Sequence, residues 1–556
     1  MYKKPFSLSV FMTSLAILIV GCSSSTAQKN TSLFSYTEKF TRQDSLRGSI
    51  TPERLWWDLT YYHLNVAVNP DKKFIEGKNT VQYKVLKPHQ VLQIDLQPPL
   101  KITKVTQNNE ELQVVSEGNA HFIQLKYPQK KGSINSIDVY YEGNPKEAIR
   151  APWDGGFSWK KDSNGNHFVA TSCQGLGASI WWPNKDHMYD EVDSMAISVR
   201  VPKNLMDVSN GRLRNIEQHN DNTTTYHWFV DNPINNYGVN VNIGDYVHFS
   251  EKYNGEDGEL DMNYYVLHDN LKKAKKQFKD APKMMKAFEH WFGKYPFYED
   301  GFKLVEVPYL GMEHQSSVTY GNQYKNGYLG RDLSGTGWGL KFDFIIIHEA
   351  GHEWFANNIT NVDIADMWIH ESFTAYSENL FLDYYYGKEA SAAYVIGTRN
   401  AIQNDIPIIG NYDVNDEGSG DMYYKGANML HTIRQLINND EKWRQILRGL
   451  NADFYHQTVT TQEVEKYMIE KSGIDLSKVF DQYLRTVKIP EFEYKVENNT
   501  LKYRWGNVVK GFNMPLKVII NGKPELLNPT ENWQVKTIKG GSIKVDKNYY
   551  VNFKSV

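Results

Sequence analysis

Hydrophobic and polar residues alternate along the first part of the chain, and the apolar positions carry mostly β-branched and aromatic side chains. Residues 59–68 and 79–86 show this period of two, which is typical of half-buried β-strands. Clusters of asparagine and aspartate, such as residues 220–222, separate the runs as turn signals. The pattern predicts one large N-terminal β domain, which we place at residues 49–255.

The period changes near Asn270, where apolar residues begin to recur at helical spacing over residues 271–292 and Gly293 marks a stop. Five further helices are predicted at residues 366–386, 426–438, 441–454, 461–471 and 476–486. These helices predict a mostly α domain at residues 256–488. Short strands with Gly and Asn turns return after it, and they predict a small β-sandwich-like module at residues 489–556. The predicted fold class is therefore multidomain α+β.

The first residues have the pattern of an export signal rather than of a folded domain. Lys3 and Lys4 precede an apolar stretch at residues 6–20, which is shorter than the roughly 18 residues that a membrane-spanning helix needs. No later segment reaches that length either. The sequence therefore predicts export without a spanning helix.

The apolar stretch ends in Ile-Val-Gly-Cys at residues 19–22, which resembles the cleavage box of bacterial lipoproteins. In such proteins the signal peptide, here residues 1–21, is removed and the cysteine, here Cys22, is diacylated and holds the chain to a membrane. The Ser-rich start of residues 22–48 predicts a flexible tether. We expect an exported, membrane-anchored lipoprotein of a bacterial cell envelope. An ordinary secretory signal with an incidental cysteine is the alternative.

Composition and charge narrow the function classes. The 62 basic and 65 acidic residues give a net charge of −3 without a long Lys/Arg run, so nucleic acid is not an expected partner. Apolar residues make up 40% of the chain, which is enough for sizeable cores. If Cys22 is lipidated, Cys173 has no partner for an intramolecular disulfide. We expect Cys173 to be a small buried residue rather than a nucleophile.

One motif carries most of the chemistry. His348 and His352 lie four residues apart, so on a helix they project from one face and can hold one Zn²⁺. Glu349 lies between them, where it is placed to take a proton from water at the metal. A catalytic zinc keeps three protein ligands, and Glu371 is the natural third. The apolar residues 342–347 predict that this helix is buried, whereas a surface helix with solvated histidines is the alternative.

These residues resemble the aminopeptidase N family of gluzincins, which includes the leukotriene hydrolase-aminopeptidases. The family's zinc pattern is HExxH, eighteen residues, then Glu, and residues 353–370 supply that spacing. Residues 311–314 (Gly-Met-Glu-His) resemble the family's exopeptidase motif, Gly-x-Met-Glu-Asn, and residues 423–426 (Tyr-Tyr-Lys-Gly) resemble its Tyr-x-Lys-Gly segment. The likeness covers roughly residues 50–490. It implies an N-terminal β-saddle domain followed by a thermolysin-like zinc peptidase domain.

The resemblance also implies a role for each matched residue. His348, His352 and Glu371 would bind one zinc ion per chain. Glu349 would be the general base that activates the zinc-bound water and later protonates the leaving amine. Tyr423 would donate its hydroxyl hydrogen to the oxyanion of the tetrahedral intermediate.

The same likeness predicts a site for the substrate's free N-terminus. Glu313 would pair with the α-ammonium group, and Gln174 of the β domain would approach the same amine. Gly311 and Met312 belong to the same substrate-binding motif. A clamp for a cationic N-terminus predicts a zinc aminopeptidase that removes single N-terminal residues from peptides.

Several assignments stay open on sequence grounds. Tyr424 or Tyr412 could be the hydroxyl donor in place of Tyr423. Glu378, seven residues after the third predicted ligand, either orients a histidine or is a solvated helix glutamate. His314 replaces the family's usual Asn, and we expect it to titrate near neutrality and to alter the amine site.

Rival functions also remain. One is a zinc endopeptidase or an epoxide hydrolase on the same fold, and another is a non-catalytic peptide-binding or scaffolding lipoprotein. No segment resembles the helical domain that covers the site in longer family members, and we expect a more open entrance.

Overall fold

The computed structural model describes residues 40–539 and 541–556. The predicted signal peptide, Cys22 and most of the predicted tether lie outside these residues. In the described part of the chain, no helix has both the length and the apolar character needed to cross a membrane. Residues 41–556 form one compact unit.

The N-terminal part is built almost entirely from strands. Its elements are α1 (Arg42–Gly48), α2 (Pro52–Leu55), β1 (Trp57–Asn69), β2 (Phe74–Val85), β3 (Val91–Asp95), β4 (Lys101–Gln107), β5 (Glu110–Glu111), β6 (Gln113–Glu117), β7 (Ala120–Gln124), β8 (Ile134–Gly143), β9 (Gly156–Lys161), β10 (His167–Ser172), β11 (Ser194–Pro202), β12 (Met206–Val208), β13 (Arg212–Gln218), β14 (Thr223–Val230) and β15 (Asn242–Gly244). They form an eight-stranded sheet in the order β13-β14-β11-β1-β2-β8-β4-β5, a four-stranded sheet β12-β15-β10-β9 and a three-stranded sheet β3-β7-β6.

Strand β1 illustrates how the alternating pattern produces the large sheet. Tyr62, Leu64 and Val66 are buried, and the residues between them are partly exposed. The register with β2 shifts between Leu59 and Tyr61, a bulge that moves the alternation by one residue. Burying side chains of this size contributes about 1.5–3 kcal/mol each, so a one-residue slip that exposed them is strongly disfavoured.

The prediction of a flexible tether over residues 22–48 is wrong for its last seven residues, because Arg42–Gly48 form helix α1. Thr41 caps the helix in a capping box, and Leu46 is buried. The Arg47 guanidinium lies 3.1 Å from a carboxylate oxygen of Asp186, which fixes the helix to the N-terminal domain. The polar composition of this segment concealed the cap and its single buried leucine.

The second part carries most of the helices. They are α3 (Leu271–Gln277), α4 (Asp280–Phe292), α5 (Phe344–Gly351), α6 (Trp368–Tyr386), α7 (Lys388–Gly397), α8 (Tyr424–Ile437), α9 (Asp440–Asp453), α10 (Thr461–Ser472) and α11 (Ser477–Leu484). Its strands are β16 (Tyr246–Gly255), β17 (Gly258–Leu267), β18 (Phe302–Glu306), β19 (Gly311–Met312), β20 (Val318–Tyr320), β21 (Ile359–Asn361) and β22 (Gln457–Val459). Five of them form one sheet in the order β16-β17-β18-β20-β19, which leaves β19 at an edge.

This sheet corrects the predicted domain boundary. Strands β16 and β17 form a hairpin, and β17 pairs with β18 of the helical part. Residue 255, where the N-terminal domain was predicted to end, therefore lies inside a hairpin of the second domain. Strand periodicity identifies a strand but does not reveal which sheet it joins, and β18 and β20 themselves were not predicted.

The single helical run predicted over residues 271–292 is two helices, α3 and α4. Pro282 falls in the first turn of α4. In one continuous helix the backbone N–H of residue 282 would donate to the carbonyl of residue 278. Proline has no N–H group, so a new helix begins shortly before Pro282, where the first turn needs no such donor.

Helix α6 runs through the centre of the second domain. Every residue from Trp368 to Leu382 is buried, which is the behaviour of a helix enclosed on all sides. It ends at Gly387, as predicted, where φ is +86° and a side chain would be strained.

The C-terminal part is a β module that packs on the helices. Its strands are β23 (Glu491–Glu497), β24 (Thr500–Gly506), β25 (Leu516–Ile520), β26 (Lys523–Leu527), β27 (Gln534–Thr537), β28 (Ile543–Val545) and β29 (Asn552–Ser555), in sheets β27-β24-β23-β29 and β26-β25-β28. Trp505 and Val518, from different sheets, are buried in one hydrophobic cluster that also contains Tyr483 of α11. The predicted α+β fold class, with a β-rich domain, a helical domain and a C-terminal β region, is confirmed.

Candidate active site

Helix α5 begins at a buried aspartate. The carboxylate of Asp343 accepts from the backbone N–H groups of Ile345 and Ile346 at 3.2 and 3.4 Å, so it satisfies the free donors of the first turn. It also accepts from the hydroxyl of Tyr320 at 2.7 Å, which joins the helix to β20. The cap fixes where the helix starts, and one and two turns later His348 and His352 follow.

The helix breaks directly after His352. Residues Glu353–Asn357 form a wide turn in which Ala356 has φ of +152°, a conformation that costs on the order of 1–3 kcal/mol. The break turns the carbonyl of Phe355 toward the preceding ring, where Nδ1 of His352 donates to it at 3.0 Å. The hydroxyl of Thr374 lies 3.1 Å from the same nitrogen. These contacts occupy Nδ1 of His352 and leave its Nε2 facing Glu371.

Helix α6 supplies Glu371 and, two turns later, Glu378. Nδ1 of His348 donates to a carboxylate oxygen of Glu378 at 2.8 Å, and the other oxygen accepts from the hydroxyl of Tyr394. Glu378 has no exposed surface, so the alternative of a solvated helix glutamate is wrong. The carboxylate fixes the tautomer of His348 and directs its Nε2 toward Glu371.

The three predicted ligand side chains meet at one point. Nε2 of His348 and Nε2 of His352 lie 3.7 and 3.4 Å from Oε2 of Glu371. Zinc–ligand distances of about 2.0–2.2 Å in tetrahedral geometry put neighbouring ligand atoms roughly 3.3–3.6 Å apart. Among the described residues, Oε2 of Glu371 is buried without a hydrogen-bond partner. A buried acceptor with two imidazole nitrogens beside it fits a zinc ion.

Glu313, Glu349 and His352 also bring ligand atoms within 4.8 Å of one another. This second set is less suited to the metal because Oε1 of Glu313 already accepts from the side-chain amide of Gln174 at 2.7 Å. The same amide lies 3.2 Å from Oε1 of Glu371. Gln174, from the N-terminal domain, therefore bridges the predicted amine clamp and the predicted third ligand.

Glu349 lies against strand β19. A methyl group on Gly311 would approach a carboxylate oxygen of Glu349 to 3.0 Å and the side chain of Ile345 to 2.6 Å. Only glycine leaves the carboxylate in place. Burial raises the pKa of Glu349 to about 7, and the nearby Glu313 carboxylate adds to the rise. A carboxylate near that value can both take and return a proton at neutral pH.

The site opens into a pocket of about 140 Å³ lined by Glu313, Glu349 and Glu371 together with both histidines. Burial raises the pKa of Glu313. The pKa of Glu371 is lowered, because the neighbouring imidazoles outweigh the effect of its burial. Three carboxylates in one buried pocket need compensating cations.

Tyr423 lines this pocket together with Tyr328 and the two histidines. Its ring stacks on that of His348 at 6.0 Å between centroids. Burial raises the pKa of Tyr423 well above its usual value, so the hydroxyl keeps its proton and can donate. The hydroxyl of Tyr412 instead donates to Asp366, and Tyr424 does not line the pocket. The geometry favours Tyr423 among the three candidates.

Two family models match most of the described chain. Residues 59–237 match the Peptidase M1 N-terminal domain, and residues 277–483 match the Peptidase family M1 domain. The chain belongs to peptidase family M1. The resemblance to gluzincin aminopeptidases and leukotriene hydrolases predicted above is thereby confirmed.

Relatives of this M1 protein are distant in sequence. Probable aminopeptidase 1 of Sulfurisphaera tokodaii is 22% identical over 455 residues, which cover 77% of this chain and 53% of that protein. Leukotriene A-4 hydrolase of Xenopus laevis is 21% identical over 481 residues, which cover 80% and 74%. The chain spans about half the length of the first curated relatives it matches.

A solved structure has the same fold. The M1 zinc metallopeptidase of Deinococcus radiodurans with a bound Tyr-Ser-Ala substrate aligns with a TM-score of 0.68 at 18% identity, covering 80% of this chain and 98% of that one. Residues after 483 lie outside both family models, and they include the whole C-terminal β module.

Three residues near the site are buried, and their burial bears on what the sequence predicts for them. His314 is fully buried, and burial lowers its pKa to about 3, so the expectation that it titrates near neutrality is wrong. Cys173 is fully buried and its thiol donates to the carbonyl of Tyr237 at 3.0 Å, as expected of a small buried residue. Met312 lines the pocket, but its side chain also packs in the hydrophobic cluster of the N-terminal domain.

Sequence reasoning missed several residues of the site. Asp343 interrupts an apolar run, and a cap directly before a predicted helix was the signal that could have identified it. Pro152 and Trp153, from a loop of the N-terminal domain, form part of the pocket wall. Nothing in their local sequence indicates that this loop reaches a motif about two hundred residues later.

Proposed function

We propose that this protein is a zinc-dependent aminopeptidase that removes N-terminal residues from peptides. The observation that carries the proposal is the contact of Gln174 with both Glu313 and Glu371, at 2.7 and 3.2 Å. It puts the buried carboxylate of Glu313 beside the metal-ligand set, where it can pair with the ammonium group of a peptide whose first carbonyl reaches the metal.

The charges in the pocket support this substrate class. When all three are ionised, Glu313, Glu349 and Glu371 bring three negative charges into one small buried pocket. A divalent metal offsets two of them, and the α-ammonium of a peptide offsets the third. A blocked or internal peptide segment brings no positive charge, so one carboxylate would stay buried without a partner, at a cost of several kcal/mol.

Each side chain then has a defined task. Zinc held by His348, His352 and Glu371 supplies Lewis acidity, which polarises a carbonyl and makes water more acidic. Glu349 takes the proton of the attacking water and returns it to the departing amine. Tyr423 donates its hydroxyl hydrogen to the carbonyl oxygen as negative charge develops there, which is typically worth about 10²–10³ in rate.

The remaining pocket residues position the peptide. Glu313 binds the ammonium group, and the Gln174 amide, which donates to Glu313, keeps that carboxylate aimed at it. Gly311, at the edge of the sheet, lets the substrate backbone approach Glu349 without a side chain between them. This division of roles gives single-residue removal rather than internal cleavage.

Activity on free and acetylated peptides tests the proposal. The purified protein is expected to hydrolyse aminoacyl 4-nitroanilides and short peptides, and to lose at least about 100-fold on N-acetylated forms, since an unpaired buried charge costs about 3–5 kcal/mol. Glu349→Gln should abolish activity, and Glu313→Ala should reduce the preference for free amines. Glu191→Gln is the control, because Glu191 is a partly buried glutamate that does not line the pocket and accepts from the hydroxyl of Thr360.

Two outcomes would reject parts of this mechanism. Rapid cleavage of acetylated peptides by the wild type would favour the endopeptidase alternative. Activity that survives Glu349→Gln would remove that residue as the base.

We further propose that the protein is exported and held to a membrane by a lipid on Cys22, with peptides as its substrates on the outer side of the cytoplasmic membrane. The support is the sequence of residues 19–22 and the apolar stretch before it. Mass spectrometry of the mature N-terminus after bacterial expression tests this. A diacylated Cys22 is expected, Cys22→Ser should leave the protein unlipidated, and a mature N-terminus elsewhere would contradict the proposal.

A further inference from the structure

A second, larger groove adjoins the catalytic pocket. It has a volume of about 750 Å³ and is formed by residues 307–310, 320–321 and 323–325, with Asn270 and Lys273 at its side. Trp153 and Leu310 line both the groove and the catalytic pocket. The two spaces therefore meet at these two side chains.

The positions of Glu313, Glu349 and the groove indicate in which direction a bound peptide runs. Glu313 marks where the peptide's N-terminus binds, and Glu349 lies against Gly311, two residues earlier on the chain. Leu310 is one residue further in the same direction, at the entrance to the groove. A peptide that lies along this edge passes from Glu313 over Glu349 toward Leu310. The residues after the scissile bond thus point into the groove.

Size supports the same conclusion. The catalytic pocket, at about 140 Å³, is smaller than the roughly 300–1,000 Å³ of typical ligand sites. The groove, at about 750 Å³, lies within that range. A substrate longer than a dipeptide must leave the pocket, and the groove is the adjoining space.

The loop that carries Trp153 is held in a fixed shape. The carboxylate of Asp154 accepts from the backbone N–H groups of Ile149 and Arg150 at 2.7 and 2.9 Å, and the N–H of Trp153 donates to the carbonyl of Arg150 at 3.1 Å. The Trp153 side chain is nevertheless 67% exposed. A large apolar ring held on a rigid loop at the mouth of a pocket is the geometry of a ligand contact.

The charges of the groove select one kind of occupant. Its lining includes the ammonium groups of Lys273 and Lys325, and neither has a carboxylate within ion-pair distance among the described residues. Both donate to neutral amide oxygens, Asn270 at 3.0 Å and Gln323 at 2.9 Å. The groove's one carboxylate, Glu306, is buried and accepts from the N–H of Leu267 at 2.8 Å and from the side chain of Asn270 at 2.7 Å. The groove therefore presents two ammonium groups and one buried carboxylate, which is an excess of positive charge, to its occupant.

We propose that this groove binds the C-terminal part of oligopeptide substrates, with Trp153 packing on the chain after the scissile bond and Lys273 and Lys325 attracting its terminal carboxylate. The inference rests on the proposed aminopeptidase function and specifies its substrate class. Short peptides with a free C-terminus are the preferred substrates, and uncharged aminoacyl amides are poorer ones. Trp153 and the two lysines are specificity-determining residues rather than catalytic ones.

The test compares three substrates with the same N-terminal residue, chosen as the one that the wild type removes fastest. They are a 4-nitroanilide, a pentapeptide with a free C-terminus and the same pentapeptide as its C-terminal amide. For the wild type, kcat/KM is expected to be higher for the free acid than for the amide. In Lys273→Ala/Lys325→Ala this ratio should fall about 3- to 10-fold, the size expected for two exposed charge contacts. High salt should lower the wild-type ratio as well.

Trp153→Ala should lower kcat/KM for both pentapeptides relative to the nitroanilide by about 10-fold, mainly through KM. Lys272→Ala on α3 and Trp533→Ala on the C-terminal module are matched controls, because neither lines the groove. A free-acid to amide ratio near one in the wild type, or one unchanged in the double lysine variant, would overturn the groove assignment. Failure of the wild type on all three substrates would instead count against the aminopeptidase function.

Discussion

Gly311→Ala is the most direct test of how the fold positions Glu349, the proposed catalytic base. The added methyl group would lie 3.0 Å from a carboxylate oxygen of Glu349 and 2.6 Å from a side-chain carbon of Ile345. To reach ordinary contact near 3.4 Å, the two atoms must retreat by about 0.4 and 0.8 Å. Both neighbours belong to α5, which is capped by Asp343 and enclosed in the core, so the helix has little freedom to move as a whole.

The expected result is a large loss of activity with a smaller loss of stability. Overpacking of this kind costs about 1–3 kcal/mol of folding free energy. A displacement approaching 1 Å at a reacting group can lower the rate by about 10²-fold, so we expect kcat to fall roughly 10- to 100-fold. Zinc binding should persist, because the atoms nearest to the added methyl belong to Ile345 and Glu349 and not to the three metal ligands.

The assay has three readouts: kcat and KM on an aminoacyl 4-nitroanilide, bound zinc per chain, and the melting temperature. Gly238→Ala is the matched control, because it is also a buried glycine but its added methyl would meet nothing closer than 3.7 Å. Wild-type kcat in Gly311→Ala would refute the reasoning, since Glu349 would then either tolerate displacement or not act as the base.

Three further results are expected. Glu378→Ala removes the buried acceptor of His348 and should weaken zinc binding about 10- to 100-fold in competition with a chelating dye; unchanged affinity would contradict its orienting role. Tyr423→Phe should lower kcat about 10²- to 10³-fold with little change in KM, whereas Tyr424→Phe should have little effect, and the reverse ranking would reassign the donor. Chelation of the metal should abolish activity and lower the melting temperature, because buried carboxylates lose their cation, and added zinc should restore both; a melting temperature unchanged by chelation would contradict the charge argument.

Local patterns predicted the elements of this fold better than their connections. The period of two in β1 and the glycine that ends α6 depend on neighbours in sequence, and both appear in the structure as expected. Strand β16 was assigned to the wrong domain, because the sheet that it joins through β17 continues with β18, which begins thirty-five residues after β17 ends. Pairing between distant strands has no signature within either strand.

In the candidate site, too, features set by local spacing could be predicted and features set by distant packing could not. The spacing of His348, His352 and Glu371 is a property of two helices and could be predicted, and the structure brings their ligand atoms within 4.8 Å. That His314 is buried and neutral follows only from the packing around it. Trp153 comes from a loop of the N-terminal domain, and the spacing of the zinc motif gives no indication that this loop reaches the groove.

Residues of the N-terminal domain help to hold Glu313 in place in the candidate site. The backbone carbonyl of Glu313 accepts from the side chain of Asn357 in the turn after the zinc motif at 2.9 Å. The next residues are held from the other side, because Asn210 donates to the carbonyl of Gln315 at 2.7 Å. The carboxylate of Glu313 accepts from the side-chain amide of Gln174, which belongs to the N-terminal domain. The carboxylate that we propose binds the substrate's ammonium group is thus fixed between two domains. If that role is correct, a change at their interface should alter specificity for the free N-terminus before it alters the metal site.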